Sequence, residues 1–187
     1  MKKINSRWML ALAGLLICGV VFAQSTNGNS ATAGNDNESG SVKGQMSGCV
    51  DVETQLQART QTMTANKNEA LEKYEQIQVR LTSVASQLEE DGYDVDELQA
   101  DIVTFDGMIA EFDQDSQAFM AQLSYSKQYA CGRSENEFNA KMETTRTRLR
   151  AMYQDCLDLK YYWEGTLKTD LQELETAVEA SETEGSL

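Results

Sequence analysis

From Cys49 onward, apolar residues recur at steps of three and four, which is the spacing of one face of an α-helix. Repeats sustained over so many turns indicate coiled-coil-like heptad seams. The seams comprise Cys49, Val52, Leu56, Met63, Ala70, Tyr74, Ile77, Leu81, Val84 and Leu88; then Val95, Leu98, Ile102, Phe105, Ile109, Phe112, Phe119 and Leu123; then Phe138, Met142, Thr145, Leu149, Met152, Cys156, Leu159, Trp163, Leu167, Leu171, Leu174 and Val178. We therefore predict helices over residues 50–90, 95–131 and 135–183.

Two short turns separate these helices. Gly92 suits the left-handed position after a helix end, and Asp94 with Glu97 forms a capping box that starts the next helix. Gly132 plays the same part at the second turn. Turns of about three residues place consecutive helices side by side in opposite directions. The expected fold class is all-α: an elongated antiparallel up-down-up three-helix bundle over residues 49–184.

The N-terminal segment, residues 1–23, has the pattern of a signal peptide. Lys2, Lys3 and Arg7 precede the apolar run of residues 9–21, and small or modest side chains follow at Val21-Phe22-Ala23. The run is shorter than the roughly 20 residues that a membrane-spanning helix needs. We expect cleavage after Ala23, and the alternative is a retained membrane anchor.

Residues 24–48 have the composition of a flexible linker. From position 25 to position 48, 16 of 24 residues are Gly, Ser, Asn or Thr. Such a stretch cannot bury enough apolar surface to offset the entropy of ordering it. We expect a disordered Gly/Ser/Asn-rich linker that ends where the helices begin.

The chain is strongly acidic, with 30 Asp and Glu against 16 Lys and Arg, and it contains no histidine and no proline. A surface of this charge repels nucleic acid and anionic lipid, so the expected partner is a protein. Without histidine, the usual general base and metal ligand are missing. An EF-hand around Gly92 would need acids where Gln87 and Leu98 stand. We expect no enzyme activity, no cofactor, no metal site, and no membrane contact beyond the signal peptide.

The cysteine positions predict a disulfide between Cys49 and Cys131. Cys49 lies 43 residues before Gly92 and Cys131 lies 39 residues after it. On antiparallel helices the two reach the same end, offset by roughly 6 Å along the axis. An exported chain meets oxidising conditions that favour the bond. Cys156, 22 residues into the third helix, is expected to remain as a leftover thiol; the alternative is that all three are small buried hydrophobes.

A dense aromatic patch comprises Tyr161, Tyr162 and Trp163. Trp163 continues the third seam, whereas the two tyrosines point about 100° and 200° away from it. At least one tyrosine must therefore face solvent or a partner. Tyr161 and Tyr162 are a candidate interface, and the alternative is that they are rim tyrosines without a partner.

The segment from Asp91-Gly92-Tyr93 through Tyr129-Ala130-Cys131-Gly132 to Tyr161-Tyr162 resembles uncharacterised exported coiled-coil proteins of candidate-phylum bacteria. The resemblance implies a location in the periplasm, the cell envelope or outside the cell. Together with the composition, it predicts an exported, non-enzymatic helical protein that acts as a spacer or protein-binding module. The alternative is an extracytoplasmic holdase-type chaperone. The sequence leaves the oligomeric state open.

Overall fold

In the computed structural model of the chain, the described residues are 42–131 and 135–184. Nearly all of them are helical, and no strand occurs among them. Helix α1 covers Val42–Glu90, α2 Asp96–Lys127, α3 Glu135–Tyr162 and α4 Lys168–Glu184, and a π-helical turn, Trp163–Leu167, joins α3 to α4. The predicted all-α, three-helix bundle is confirmed. The predicted signal peptide and residues 24–41 of the predicted linker lie outside the described residues.

Helix α1 begins earlier than the sequence pattern indicates. It starts at Val42, so its first seven residues fall within the predicted linker and the boundary at residue 48 is wrong. Once a helix has nucleated, each added residue gains a backbone hydrogen bond at little cost, and no proline stops the extension here. Gly44, Ser47 and Gly48 are therefore compatible with the helix.

Helix α2 ends at Lys127 instead of continuing to residue 131. The backbone N–H groups of Gln128, Tyr129 and Ala130 donate to carbonyl oxygens three residues back, at 3.0–3.1 Å. Bonds of this kind tighten the last turn of a helix. The chain therefore leaves the α-helical path four residues before the predicted end.

The turn between α1 and α2 is a Schellman motif. The N–H of Tyr93 donates to the carbonyl of Leu88 at 3.0 Å, and the N–H of Gly92 donates to that of Glu89 at 3.0 Å. Gly92 has φ 91°, the left-handed conformation that glycine adopts without strain. The Asp94 carboxylate accepts a bond from the N–H of Asp96 at 3.2 Å. The predicted glycine cap is therefore confirmed, and α2 starts at the residue that Asp94 caps.

The described residues form two compact units. The turn unit consists of residues 70–111 and 155–184, and the disulfide unit consists of residues 42–69, 112–131 and 135–154. In each unit, one segment comes from α1, one from α2 and one from the third helical region. The α1 seam steps by four residues from Ala70 to Tyr74, where its heptad order requires three, and this break coincides with the boundary of the units in α1.

The turn unit has a continuous apolar core. Its antiparallel order is visible in the pairs Gln78–Asp106 and Glu89–Gln99, which join α1 to α2. Fifteen buried apolar residues fill it: Ala70, Tyr74, Ile77, Leu81, Ala85, Leu88, Val95, Leu98, Ile102, Phe105, Ile109, Cys156, Leu159, Leu167 and Leu171. The Tyr74 ring meets the Phe105 ring edge to face, with the centroids 6.1 Å apart.

The disulfide unit has a thinner apolar core and more internal polar contacts. Its buried apolar residues are Leu56, Phe112, Phe119, Leu123 and Met152, and its buried polar residues are Ser116, Ser126 and Thr145. The hydroxyls of Ser126 and Thr145 are 2.8 Å apart and join α2 to α3. Lys67 Nζ lies 2.7 Å from Asp113 Oδ1 and joins α1 to α2. Polar pairs therefore supply part of the contact between these helices.

Candidate functional site

The π-helical turn changes which side chains share a face of the third helical region. Tyr162 and Asp170 are eight residues apart, and in a regular α-helix their side chains would diverge by about 80°. The N–H of Lys168 instead donates to the carbonyl of Trp163, five residues back. A π turn takes up one additional residue, which removes most of that divergence. Tyr162 and Asp170 consequently both reach Asp101 on α2.

Tyr162 binds a carboxylate within the turn unit. Its hydroxyl donates to Asp101 Oδ1 at 2.7 Å. Burial, together with this hydrogen bond, raises the pKa of Tyr162, because both favour the protonated phenol. The Tyr162 side chain is half-buried and is engaged by its own chain.

Asp170 shares the same neighbour. Burial raises the pKa of Asp170 to about 6, and its hydrogen bond to Asp101 acts in the same direction. The nearby carboxylates of Glu97 and Glu173 add to the rise. Asp170 Oδ2 is buried without a hydrogen-bond partner. Such an oxygen favours the neutral carboxyl group, since a buried charge without a partner is costly.

The cluster of Asp101, Tyr162 and Asp170 can take up and release one proton in the weakly acidic range. The proton is that of Asp170, whose pKa burial raises to about 6, and the Tyr162 hydroxyl donates to the neighbouring Asp101. Neither aspartate belongs to a recognisable sequence motif. Gly165, within the π turn, is the one sequence signal that the third helix is irregular there.

The two tyrosines of the predicted interface, Tyr161 and Tyr162, differ in their exposure to solvent. Tyr161 is exposed, with 61% of its surface accessible, whereas Tyr162 is half-buried against Asp101. Trp163, which the sequence pattern placed in the core seam, is also half-buried, and the π turn begins at this residue. Only Tyr161 of the predicted pair therefore presents its ring to solvent, and an interface role for it stays a prediction.

The predicted disulfide between Cys49 and Cys131 is present. The two sulfur atoms are bonded, the Cα atoms are 5.2 Å apart, and the cysteines are 82 residues apart in sequence. Cys156 is buried, as predicted, and the hydroxyl of Tyr74 lies 3.9 Å from its sulfur. It is not a free cysteine, so the prediction of a leftover thiol is wrong. The prediction placed Cys156 by counting residues along the predicted helices. Such a count considers only partners within those helices, so it could not show that Cys156 is not free.

A second polar and aromatic cluster lies near the disulfide. Lys141 Nζ is 5.2 Å from the ring centroid of Tyr125 and 5.4 Å from that of Tyr129. A cation so close to two ring faces is attracted by their quadrupoles. The two hydroxyls also form a hydrogen bond with each other. The only sign of this cluster in the sequence is the four-residue spacing of the two tyrosines, which places them on one helix face.

The turn unit also carries a groove between α1 and α2, with a volume of about 320 Å³. Small side chains on α1 leave this space open, because Thr82, Ala85 and Ser86 lie opposite Ile102 and Val103. The polar residues Gln78, Gln99 and Asp106 complete its lining. Val103, at the edge of this recess, is 72% exposed.

The charge of the chain is concentrated in the turn unit. By sequence, residues 70–111 and 155–184 contain 20 acidic and 4 basic residues, a net charge of −16. Residues 42–69, 112–131 and 135–154 contain 8 acidic and 8 basic residues, a net charge of zero. The acidity of the whole chain is therefore a property of one unit.

The acidic residues of the described segments do not assemble into a metal centre. No group of three or more cysteine, aspartate or glutamate side chains is arranged there to hold a metal ion. No helix of the described segments combines the length and apolar character that crossing a membrane requires.

Comparisons of the chain with models of protein families, with curated proteins and with solved structures found no match. The resemblance to exported coiled-coil proteins therefore stays a prediction.

Proposed function

We propose that the protein is an exported, non-enzymatic helical module of the cell envelope that binds another protein or spaces envelope components. The observation that carries the proposal is the uneven charge of the two units. A unit with a net charge of −16 is suited to attracting a basic partner, whereas a unit of zero net charge is not.

The disulfide supports the proposed location. Structural disulfides persist in oxidising compartments such as the periplasm and the extracellular space, and are rare in the cytosol. The Cys49–Cys131 bond closes a long loop and joins residues from α1 and from the turn after α2. The proposed signal peptide would deliver the chain to such a compartment.

Two measurements test the location. Intact-mass spectrometry of protein recovered from the envelope fraction should show an N-terminus at Gln24. A full-length mass would instead indicate a retained anchor, and recovery of reduced protein from the cytosol would contradict export.

An affinity experiment tests the binding role. The disulfide-bonded protein, without its signal peptide, is immobilised and incubated with solubilised envelope proteins at two salt concentrations. We expect one dominant folded partner, released at high salt because charge contributes to its association. Absence of any reproducible partner would contradict a binding module and leave the spacer role.

The holdase is retained as a second candidate because large apolar side chains are exposed at Val79, Val103 and Tyr161. A holdase would suppress the aggregation of a chemically unfolded client at substoichiometric or equimolar ratios. If the purified protein has no effect on client aggregation while it binds a folded partner, the holdase is excluded.

A further inference from the structure

The α1–α2 groove of the turn unit has the construction of a docking site. Its floor is apolar, since Ala85 and Ile102 are 2% and 8% exposed. Val103 stands at its edge and is 72% exposed. The groove therefore presents one exposed apolar side chain beside a small apolar floor, and polar residues complete its lining.

The groove is preformed, because hydrogen bonds between the two helices hold both of its ends. At one end Gln78 Nε2 donates to Asp106 Oδ1 at 2.7 Å. At the other end Gln99 Nε2 donates to Glu89 Oε2 at 3.1 Å. Between residues 78 and 89, α1 rises by roughly 16 Å, which is the length of three helical turns.

Charge indicates what can occupy the groove. Glu89 and Asp106 lie at the ends of the groove and are exposed. Two further exposed acids lie nearby: Glu75 on α1 and Asp96 on α2 each precede a lining glutamine by three residues. The turn unit has a net charge of −16, so it repels other negatively charged partners. These include a second copy of this groove, a nucleic acid and an anionic lipid. A helix carrying lysines and arginines would be attracted.

We propose that the α1–α2 groove docks a basic amphipathic helix of another protein. Apolar side chains of that helix pack over Ala85, Ile102 and Val103, and its lysines and arginines pair with the acids at the corners of the groove. This inference rests on the proposed function as a protein-binding module, and it names the site and the chemistry of the partner.

The test uses a synthetic amphipathic peptide of about 18 residues, five helical turns, with leucines on one face and lysines on the other. Its dissociation constant for the full disulfide-bonded protein is measured by fluorescence anisotropy. A peptide of the same composition in scrambled order has no apolar face and serves as the first control. We expect the amphipathic peptide to bind at least about tenfold more tightly than the scrambled one.

A pair of charge-matched variants separates docking from adsorption by charge. Val103→Asp places a carboxylate at the groove, and Val79→Asp adds the same charge at a valine on α1 that is 68% exposed and does not line the groove. We expect Val103→Asp to weaken binding by about tenfold and Val79→Asp to change it by less than about twofold. Both positions are exposed, and circular dichroism verifies that the variants keep the fold.

Several outcomes would overturn the proposal. Equal binding of the two peptides, equal effects of the two aspartates, or tighter binding by Val103→Asp would each show that charge alone attracts the peptide. If an envelope partner is captured equally by wild type and Val103→Asp, the docking site is wrong while the binding function stands. If the groove binds the peptide as expected and no envelope partner exists, the proposed function fails and the site remains.

Discussion

The turn unit and the disulfide unit are both built from three helical segments, but they are stabilised by different interactions. The turn unit buries 15 apolar residues and carries a net charge of −16. The disulfide unit buries 5 apolar residues and 3 polar ones, has no net charge, and contains the Cys49–Cys131 bond. A large apolar core tolerates the self-repulsion of many carboxylates, whereas a thin core gains from a crosslink and from polar pairs.

The two units also differ in the role proposed for each. Strong charge and the α1–α2 groove both belong to the turn unit, so binding is proposed there. The disulfide unit contains ion pairs such as Lys67–Asp113 and Lys127–Glu53, which balance charge within the unit. Partly exposed pairs of this kind contribute little stability, typically up to about 1 kcal/mol each.

The largest expected effect is loss of the crosslink. Replacing Cys49 and Cys131 together by serine should lower the free energy of unfolding by roughly 4 kcal/mol, because the unfolded chain regains the entropy of a long loop. Serine variants are preferred to a reductant, since Cys156 is not a free cysteine either. Urea unfolding measures the loss, and amide hydrogen exchange should show it mainly in the disulfide unit. Equal loss of protection in both units would contradict the comparison.

The second effect concerns the core of the turn unit. Phe105 is fully buried against Tyr74, so Phe105→Ala should lower the free energy of unfolding by about 3–4 kcal/mol through lost burial and a cavity. Val103→Ala on the same helix is the control and should cost less than about 0.5 kcal/mol, since Val103 is exposed. A loss under about 1 kcal/mol for Phe105→Ala would mean that the apolar core is less important there than its burial indicates.

A smaller effect tests the polar core of the disulfide unit. Ser126→Ala should lower the free energy of unfolding by about 1–2 kcal/mol, because the buried hydroxyl of Thr145 loses one partner. Adding Thr145→Val removes the second polar group and should cost little more, or recover part of the loss. The coupling energy of the double-mutant cycle measures the pair. Additive losses would show that the two hydroxyls do not support each other.

The smallest effect is a dependence on pH in the turn unit. The pKa of Asp170 is raised from 3.8 to about 6 in the folded state, so the folded protein binds this proton more tightly than the unfolded chain. The resulting stabilisation is fully present below about pH 4 and is lost as the pH rises through about 6. Urea midpoints of wild type and Asp170→Asn between pH 4.5 and 7.5 test this. The wild type should lose stability relative to the variant over that range, and parallel curves would contradict the shift.

Several features could be read from the residues alone because they depend on local periodicity. The three helical regions follow from apolar spacing, and the glycine turn follows from the left-handed conformation that Gly92 adopts. The Cys49–Cys131 pair follows from chain lengths measured from that turn. The excess of acidic residues is also visible in the sequence. The unit boundary at Ala70 is needed to show that this excess belongs to the turn unit.

Tertiary structure alone decided the rest, because these features depend on contacts between residues distant in sequence. The π turn aligns Tyr162 and Asp170 with Asp101; Gly165 marks a weak point in the helix, but no local pattern shows that the helix accommodates an additional residue there. Burial, and not residue type, raises the pKa of Asp170. The groove exists because small side chains on α1 meet Ile102 and Val103 across the interhelical contact, which is set by packing.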